Sequence, residues 1–174
     1  MKIVLASPLY PPDIAEPAPY SKELATRLGR LHKVTVVTYG SIPEKIEGVE
    51  ITAINKQQPV LWRLVRFTQN LLRATKHADL LIVENGPSTE LPLFCLRLFR
   101  SVPTIFHEGD ERAKHRVQRS IFLRAIESLA VRDTRTVHSS PLPKPEILPF
   151  SPYPQAAMIE YEASWKEHLS ALLA

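Results

Sequence analysis

Lys2-Ile3-Val4-Leu5-Ala6 followed by four prolines and then by helical spacing is the stretch that most constrains this chain. A short apolar run is the form of a strand covered on both faces. Pro8, Pro11, Pro12 and Pro17 interrupt regular structure after it. Helical spacing resumes from Tyr20 to Arg30, with Leu24, Ala25 and Leu28 on one face. A strand that feeds a helix through a loop at its carboxyl end is where open α/β sheets bind ligands. Ser7 to Tyr20 is therefore expected to form one wall of a site.

The same alternation continues. Val34 to Thr38 is a β-branched second strand, and Val49 to Ile54 alternates as a third, placed near an edge. Val60 to His77 reads as a helix with Leu61, Leu64, Val65, Leu71 and Leu72 as its apolar face. Leu80 to Val83 is a buried strand closed by Asn85-Gly86-Pro87. A helix follows from Glu90 to Arg100, capped by Ser88 or Thr89, with Pro92 in its first turn. Pro103 to His107 is the fifth strand. A long helix from Arg112 to Arg132 buries Val117, Ile121, Phe122, Ala125, Leu129 and Ala130, and Thr134 to Ser139 is the sixth strand. This order predicts an α/β fold: a doubly wound, Rossmann-like parallel sheet of about six strands. Residues 1–140 are expected to form that domain. Residues 141–155 read as a stiff connector, with six prolines between Pro141 and Pro154. Residues 156–174 read as a helix with Ile159, Trp165, Leu169 and Leu172 as its stripe, expected to dock back on the domain.

A chain of 174 residues suits one domain with a sizeable core. The formal net charge of +4 favours an anionic partner. Cys95 is the single cysteine, so no internal disulfide forms; among Leu93, Phe94, Leu96 and Leu98 it reads as a buried, inert thiol. The first apolar run meets Pro8 too soon for a signal-peptide core, and no run reaches the ~20 apolar residues of a membrane span. A cytoplasmic location is expected, with association at a membrane surface left open.

The residues narrow the chemistry. No glycine lies between Ser7 and Lys22, and Thr38-Tyr39 ends the second strand without an acid, which argues against a dinucleotide site. His107 stands at a strand's carboxyl end, either lining a cleft or satisfied by a neighbour. His107, Glu108 and Asp110 lie too close together on one loop to close a metal shell readily. No metal or other cofactor is expected. His138 beside Ser139 and Ser140 makes a poor nucleophile pair, because adjacent strand residues point to opposite faces. Arg112, Lys114, His115, Arg116, Arg119 and Arg124 form a basic segment, with Arg63, Arg66 and Arg73 as a smaller one. Such segments suit an anionic membrane surface or an acceptor phosphate, or are simply solvated. Trp62 and Phe67 are too few aromatics to argue for nucleic acid.

Ser7-Pro8-Leu9-Tyr10-Pro11-Pro12-Asp13-Ile14, then Ala18-Pro19-Tyr20 and Glu23-Leu24-Ala25, and His32 to Thr38 resemble the opening of glycosyltransferase family 4 enzymes of the GT-B fold. Thr104-Ile105-Phe106-His107 is similar to the family's fifth strand with its active-site histidine. Arg132-Asp133, Val137 and Ser139 resemble the strand before its domain crossover. The resemblance covers roughly residues 1–150. It implies the acceptor side of a retaining transfer from a nucleotide-sugar donor, with a glycan or lipid-linked acceptor. His107 would then position the donor sugar. Tyr10, Pro12, Asp13, Ala15, Glu16, Tyr20, Glu108 and Asp110 would line the substrate cleft, and Arg112, Lys114, Arg116 and Arg119 would meet a membrane or an acceptor phosphate. The family usually carries Gly-Gly where this chain has Ala15-Glu16, so backbone approach to a donor diphosphate is reduced. The family's donor-binding domain has no counterpart here. The expectation is thus half a site, completed by a missing domain or partner protein. The alternative is a non-catalytic interaction or remnant module, including a peripheral membrane adaptor.

Overall fold

The computed structural model of the chain describes residues 1–15, 17–145 and 154–174. Strands and helices alternate as β1 (Lys2–Ala6), α1 (Pro17–Gly29), β2 (Lys33–Tyr39), β3 (Val49–Ile54), α2 (Val60–Ala74), β4 (Leu80–Glu84), α3 (Pro87–Phe99) and β5 (Thr104–His107). After these come α4 (Glu111–Gln118), α5 (Ile121–Val131), β6 (Arg135–Val137) and α6 (Pro154–Leu173). Among the described residues the strands form one parallel sheet in the order β3-β2-β1-β4-β5-β6. The order reverses between β1 and β4, so crossovers leave that point in opposite directions. Met1–Thr136 is one compact unit and Val137–Ala174 a second.

Register decides which side chains share a face. Val4 pairs with Thr35 and Leu81, and Ala6 pairs with Val37 and Val83. These even positions of β1 face a core of Val37, Tyr39, Ile54, Phe67, Leu71, Leu93, Leu96, Phe106 and Ala130, built from α2, α3 and α5. The Tyr39 and Phe67 rings stack at 4.6 Å. Burying Phe67 and Leu71 stabilises the fold by about 1.5–3 kcal/mol each. The odd positions, Ile3 and Leu5, lie with Val34 and Val36 on the opposite face, where α1 presents buried Leu24, Ala25 and Leu28.

The helices depart from their expected faces and ends for local reasons. α1 begins at Pro17, not Tyr20, because proline fits a first turn where no N–H is needed. On α2 only Phe67 and Leu71 are buried; Leu61 is 78% exposed and Val65 is exposed too. Its apolar residues span a wider arc than the sheet can cover. The long helix expected from Arg112 to Arg132 is two helices. Ser120 adopts an extended backbone and its Oγ accepts from Leu123 N at 3.4 Å, which restarts the helical phase. The restart turns Ile126 and Ala130 inward and leaves Ile121, Phe122 and Leu129 exposed. Cys95 is only partly buried. In the second unit α6 buries Tyr161, Trp165, His168 and Leu172, while Ile159 is exposed. Most of the expected proline connector lies outside the described residues.

α3 starts at Pro87 with Gly86 as its N-cap, so Ser88 and Thr89 are inside the helix and do not cap it. Pro92 is likewise inside the helix. Its missing N–H would leave Ser88 O, four residues back, without its helical donor. The Tyr39 hydroxyl donates to that oxygen at 2.8 Å. Tyr39→Phe is expected to lower stability by about 1–3 kcal/mol, since it removes the donor that stands in for the missing Pro92 amide. A urea melt would show a lower midpoint at unchanged slope; an unchanged midpoint would refute the assignment.

Candidate functional site

Three neighbouring strands place polar side chains in one row at their carboxyl ends. Ala6 pairs with Val83, so Ser7, the next residue, falls beside Glu84. Glu84 pairs in turn with His107 on β5. Ser7, Glu84 and His107 therefore lie side by side on the α1 face, and all three are buried. α1 lies over the row and contributes Tyr20 and Ser21. The Tyr20 and His107 rings stack with centroids 4.6 Å apart.

The Glu84 carboxyl is the centre of this arrangement. Its Oε2 lies 2.6 Å from Ser7 Oγ, and its two oxygens lie 2.8 and 2.9 Å from Ser21 Oγ. The two serine oxygens are 2.8 Å apart. Ser7 Oγ also lies 2.5 Å from Leu9 O, and Ser21 Oγ lies 2.8 Å from Pro17 O. Two hydroxyl protons thus face three acceptors: Leu9 O, Pro17 O and the carboxyl. A protonated Glu84 supplies the third proton, donating to Ser7 while the serines donate to the carbonyls. Burial drives the same result. It pushes the Glu84 carboxyl up to about 8, against the lowering effect of the Ser7 and Ser21 hydrogen bonds, and Asp110 adds to the rise. Burial and then Glu84 raise the Tyr20 phenol well above its ordinary value.

The loop after β5 is fixed by Asn85. Its Nδ2 donates to Asp110 O at 2.8 Å, and its Oδ1 accepts from Asp110 N at 2.9 Å. Asp110 then caps α4, accepting from Arg112 N and Ala113 N. Gly109 lies so close to His107 that a Cβ there would come within 2.6 Å of His107 Cε1. Only glycine leaves the imidazole its place. His107 is 2% exposed, with the Tyr20 ring stacked against it. Beside the row, Gly86 N donates to Glu90 Oε1, and burial, with Glu127 and Glu108, pushes the Glu90 carboxyl up to about 7.

The sequence candidates separate into groups. Tyr20, His107, Glu108 and Asp110 converge with the row. Glu108 pairs with Lys114 at 3.2 Å. Tyr10 is buried, its hydroxyl has no partner among the described residues, and burial, then Glu44, pushes it up to about 12. Asp13 is held away in an ion pair with Lys56 at 2.5 Å. Pro12, joined to Pro11 by a cis bond, and Ala15 are exposed. Glu16 lies outside the described residues. Arg112, Arg116 and Arg119 stand on exposed positions of α4 and its end, with Lys114 half-buried. Ser139 Oγ meets His168 Nδ1 at 3.2 Å within the second unit. A cavity of about 130 Å³ bordered by Pro8, Tyr39, Lys56, Arg63 and Ser88 opens at the same edge of the sheet. Arg63 Nε is buried there with no partner among the described residues.

Sequence reasoning missed Ser21, Glu84, Asn85 and Glu90. Two of them carried a signal. Ser21 breaks the otherwise apolar buried stripe of α1, and Glu84 ends an apolar strand where the sheet binds ligands.

The raised Glu84 value fixes a sign. A carboxyl whose folded value lies above its unfolded one stabilises fully below the unfolded value and loses that contribution as pH rises through the folded one. The window runs from 4.5 to about 8. Glu84→Gln keeps the shape and a donor but does not titrate. Relative to the native chain it should gain on the order of 1–5 kcal/mol across that window. Glu90 titrates in both proteins, so the difference between their melting curves isolates Glu84. Parallel curves would show that Glu84 is ionised throughout.

Compared with protein-family models and with curated proteins, the sequence matches none.

Proposed function

We propose that the chain is the acceptor-side half of a retaining GT-B glycosyltransferase, with the nucleotide-sugar donor held by another domain or protein. One observation carries the reading: the Tyr20 and His107 rings stack beside Glu84 where β1, β4 and β5 end. The proline-braced opening and the strand ending in His107 are the segments that resemble family 4 enzymes, and Tyr20 brings the first to the second. In this reading Tyr20, His107 and the loop through Asp110 position the sugars. The buried network holds them in place. The donor side stabilises the leaving diphosphate electrostatically.

Saturation-transfer NMR with methyl glycosides tests the acceptor side. Binding is expected with Kd on the order of 1 mM, and Tyr20→Ala should weaken it about tenfold. UDP-glucose and GDP-mannose should be transferred only when a GT-B donor domain is added. If no glycoside binds and no mixture transfers sugar, the proposal fails.

A second reading rests on the tip between α4 and α5. Ile121 and Phe122 are 79% and 72% exposed, and they follow directly on the basic α4 and Arg119. Exposed apolar residues next to a cationic helix fit an anionic bilayer surface. Vesicles with about one-third phosphatidylglycerol should co-sediment the protein at low salt. Ile121→Asp with Phe122→Asp should release it. Equal sedimentation of native and variant chains would remove this reading.

A further inference from the structure

The sheet has a second ligand-sized opening, at the end away from Ser7, Glu84 and His107. Toward the carboxyl edge, the face beneath α2 is apolar: Val37, Tyr39 and Ile54 pack on Phe67 and Leu71. Earlier on the same strands and the same face the residues become Lys33 and Thr35 on β2, and Glu50 and Thr52 on β3. Hydroxyls and a carboxylate under a helix cost free energy when dry. Here they stay wet. α2 ends in Arg73 and Ala74, a tight turn runs on to His77, and a cavity of about 400 Å³ remains between that end and the sheet.

The charges around it are one-sided. Lys2, Lys33 and Arg73 border the cavity, with His77 beside them, and among the described residues Glu50 is its one bordering carboxylate. Thr35 Oγ1 lies 3.3 Å from Glu50 Oε2. Asp79, just outside, accepts from the Lys2 backbone N–H at 2.7 Å. Among the described residues none of Lys2, Lys33 and Arg73 is in an ion pair, whereas Lys22, Arg27, Lys56, Lys114 and Arg132 all are. Three unpaired cations around one solvated cavity repel one another and leave a positive potential that a multivalent anion relieves. The planar Arg73 guanidinium matches two phosphate oxygens at once. The volume falls within the range of small-molecule sites, about 300–1,000 Å³.

We propose that this amino-end cavity binds a small phosphorylated molecule through Lys2, Lys33 and Arg73. The site is separate from the carboxyl-end row and does not depend on the sugar-transfer reading. Nitrogen-15 NMR titration of the full chain with inorganic pyrophosphate, glucose 6-phosphate and glucose tests it. Both phosphates should shift the Thr35, Thr52 and Arg73 amides and saturate with Kd below about 1 mM, and glucose should shift none of them. Lys33→Ala with Arg73→Ala removes two exposed side chains and should weaken binding at least about tenfold with the spectrum otherwise native. Shifts confined to Arg112 through Arg119, no saturation by about 10 mM, or unchanged affinity in the double variant would each overturn the proposal.

Discussion

A carboxyl group with no ion pair among the described residues sits where β1 and β4 end, and the geometry of the carboxyl edge depends on how it is satisfied. Glu84 draws Ser7 from the first loop and Ser21 from α1 onto one point of the sheet. Those contacts tie the first turns of α1 to the sheet, where Tyr20 stacks on His107. A charged carboxylate in this position would face the full desolvation cost and compete with two carbonyls for two hydroxyl protons. The neutral acid removes both problems. The network is local in space and distant in sequence, since it joins residues 63 and 77 positions apart.

Strand register does the placing. Parallel neighbours in fixed alignment turn three separated residues into adjacent ones, and the same alignment sorts the two faces into an α1 side and an α2 side. Along the α2 side the character changes from apolar to polar over a few residues. The two edges of one sheet therefore offer different surroundings: a covered row of neutral hydrogen bonds at one edge, an open cationic hollow at the other.

The strands were legible because buried parallel strands are continuous apolar runs, and their order follows from alternation with helices. Helix faces were less legible. The single residue Ser120 restarts the phase and moves Ile121 and Phe122 from the expected core to the surface. Pro92 sits well inside α3, where its residue type alone argued for a first turn. The candidate site divided in the same way. His107, Tyr20 and Asp110 were visible from their positions at strand ends and loops. Asp110 acts as a helix cap, however, and Asp13 is committed to Lys56. Glu84 and Ser21 escaped because a lone acid and a lone serine acquire meaning only when the register sets them together.

The Tyr39 contact with α3 has a consequence for how this fold can drift. An alanine at position 92 would offer its own amide to Ser88 O, and the phenolic oxygen 49 residues before that serine would become redundant. With proline in place, it is the donor α3 borrows from β2. The order of loss follows: the hydroxyl becomes dispensable only after the ring that forbids the helical bond is gone.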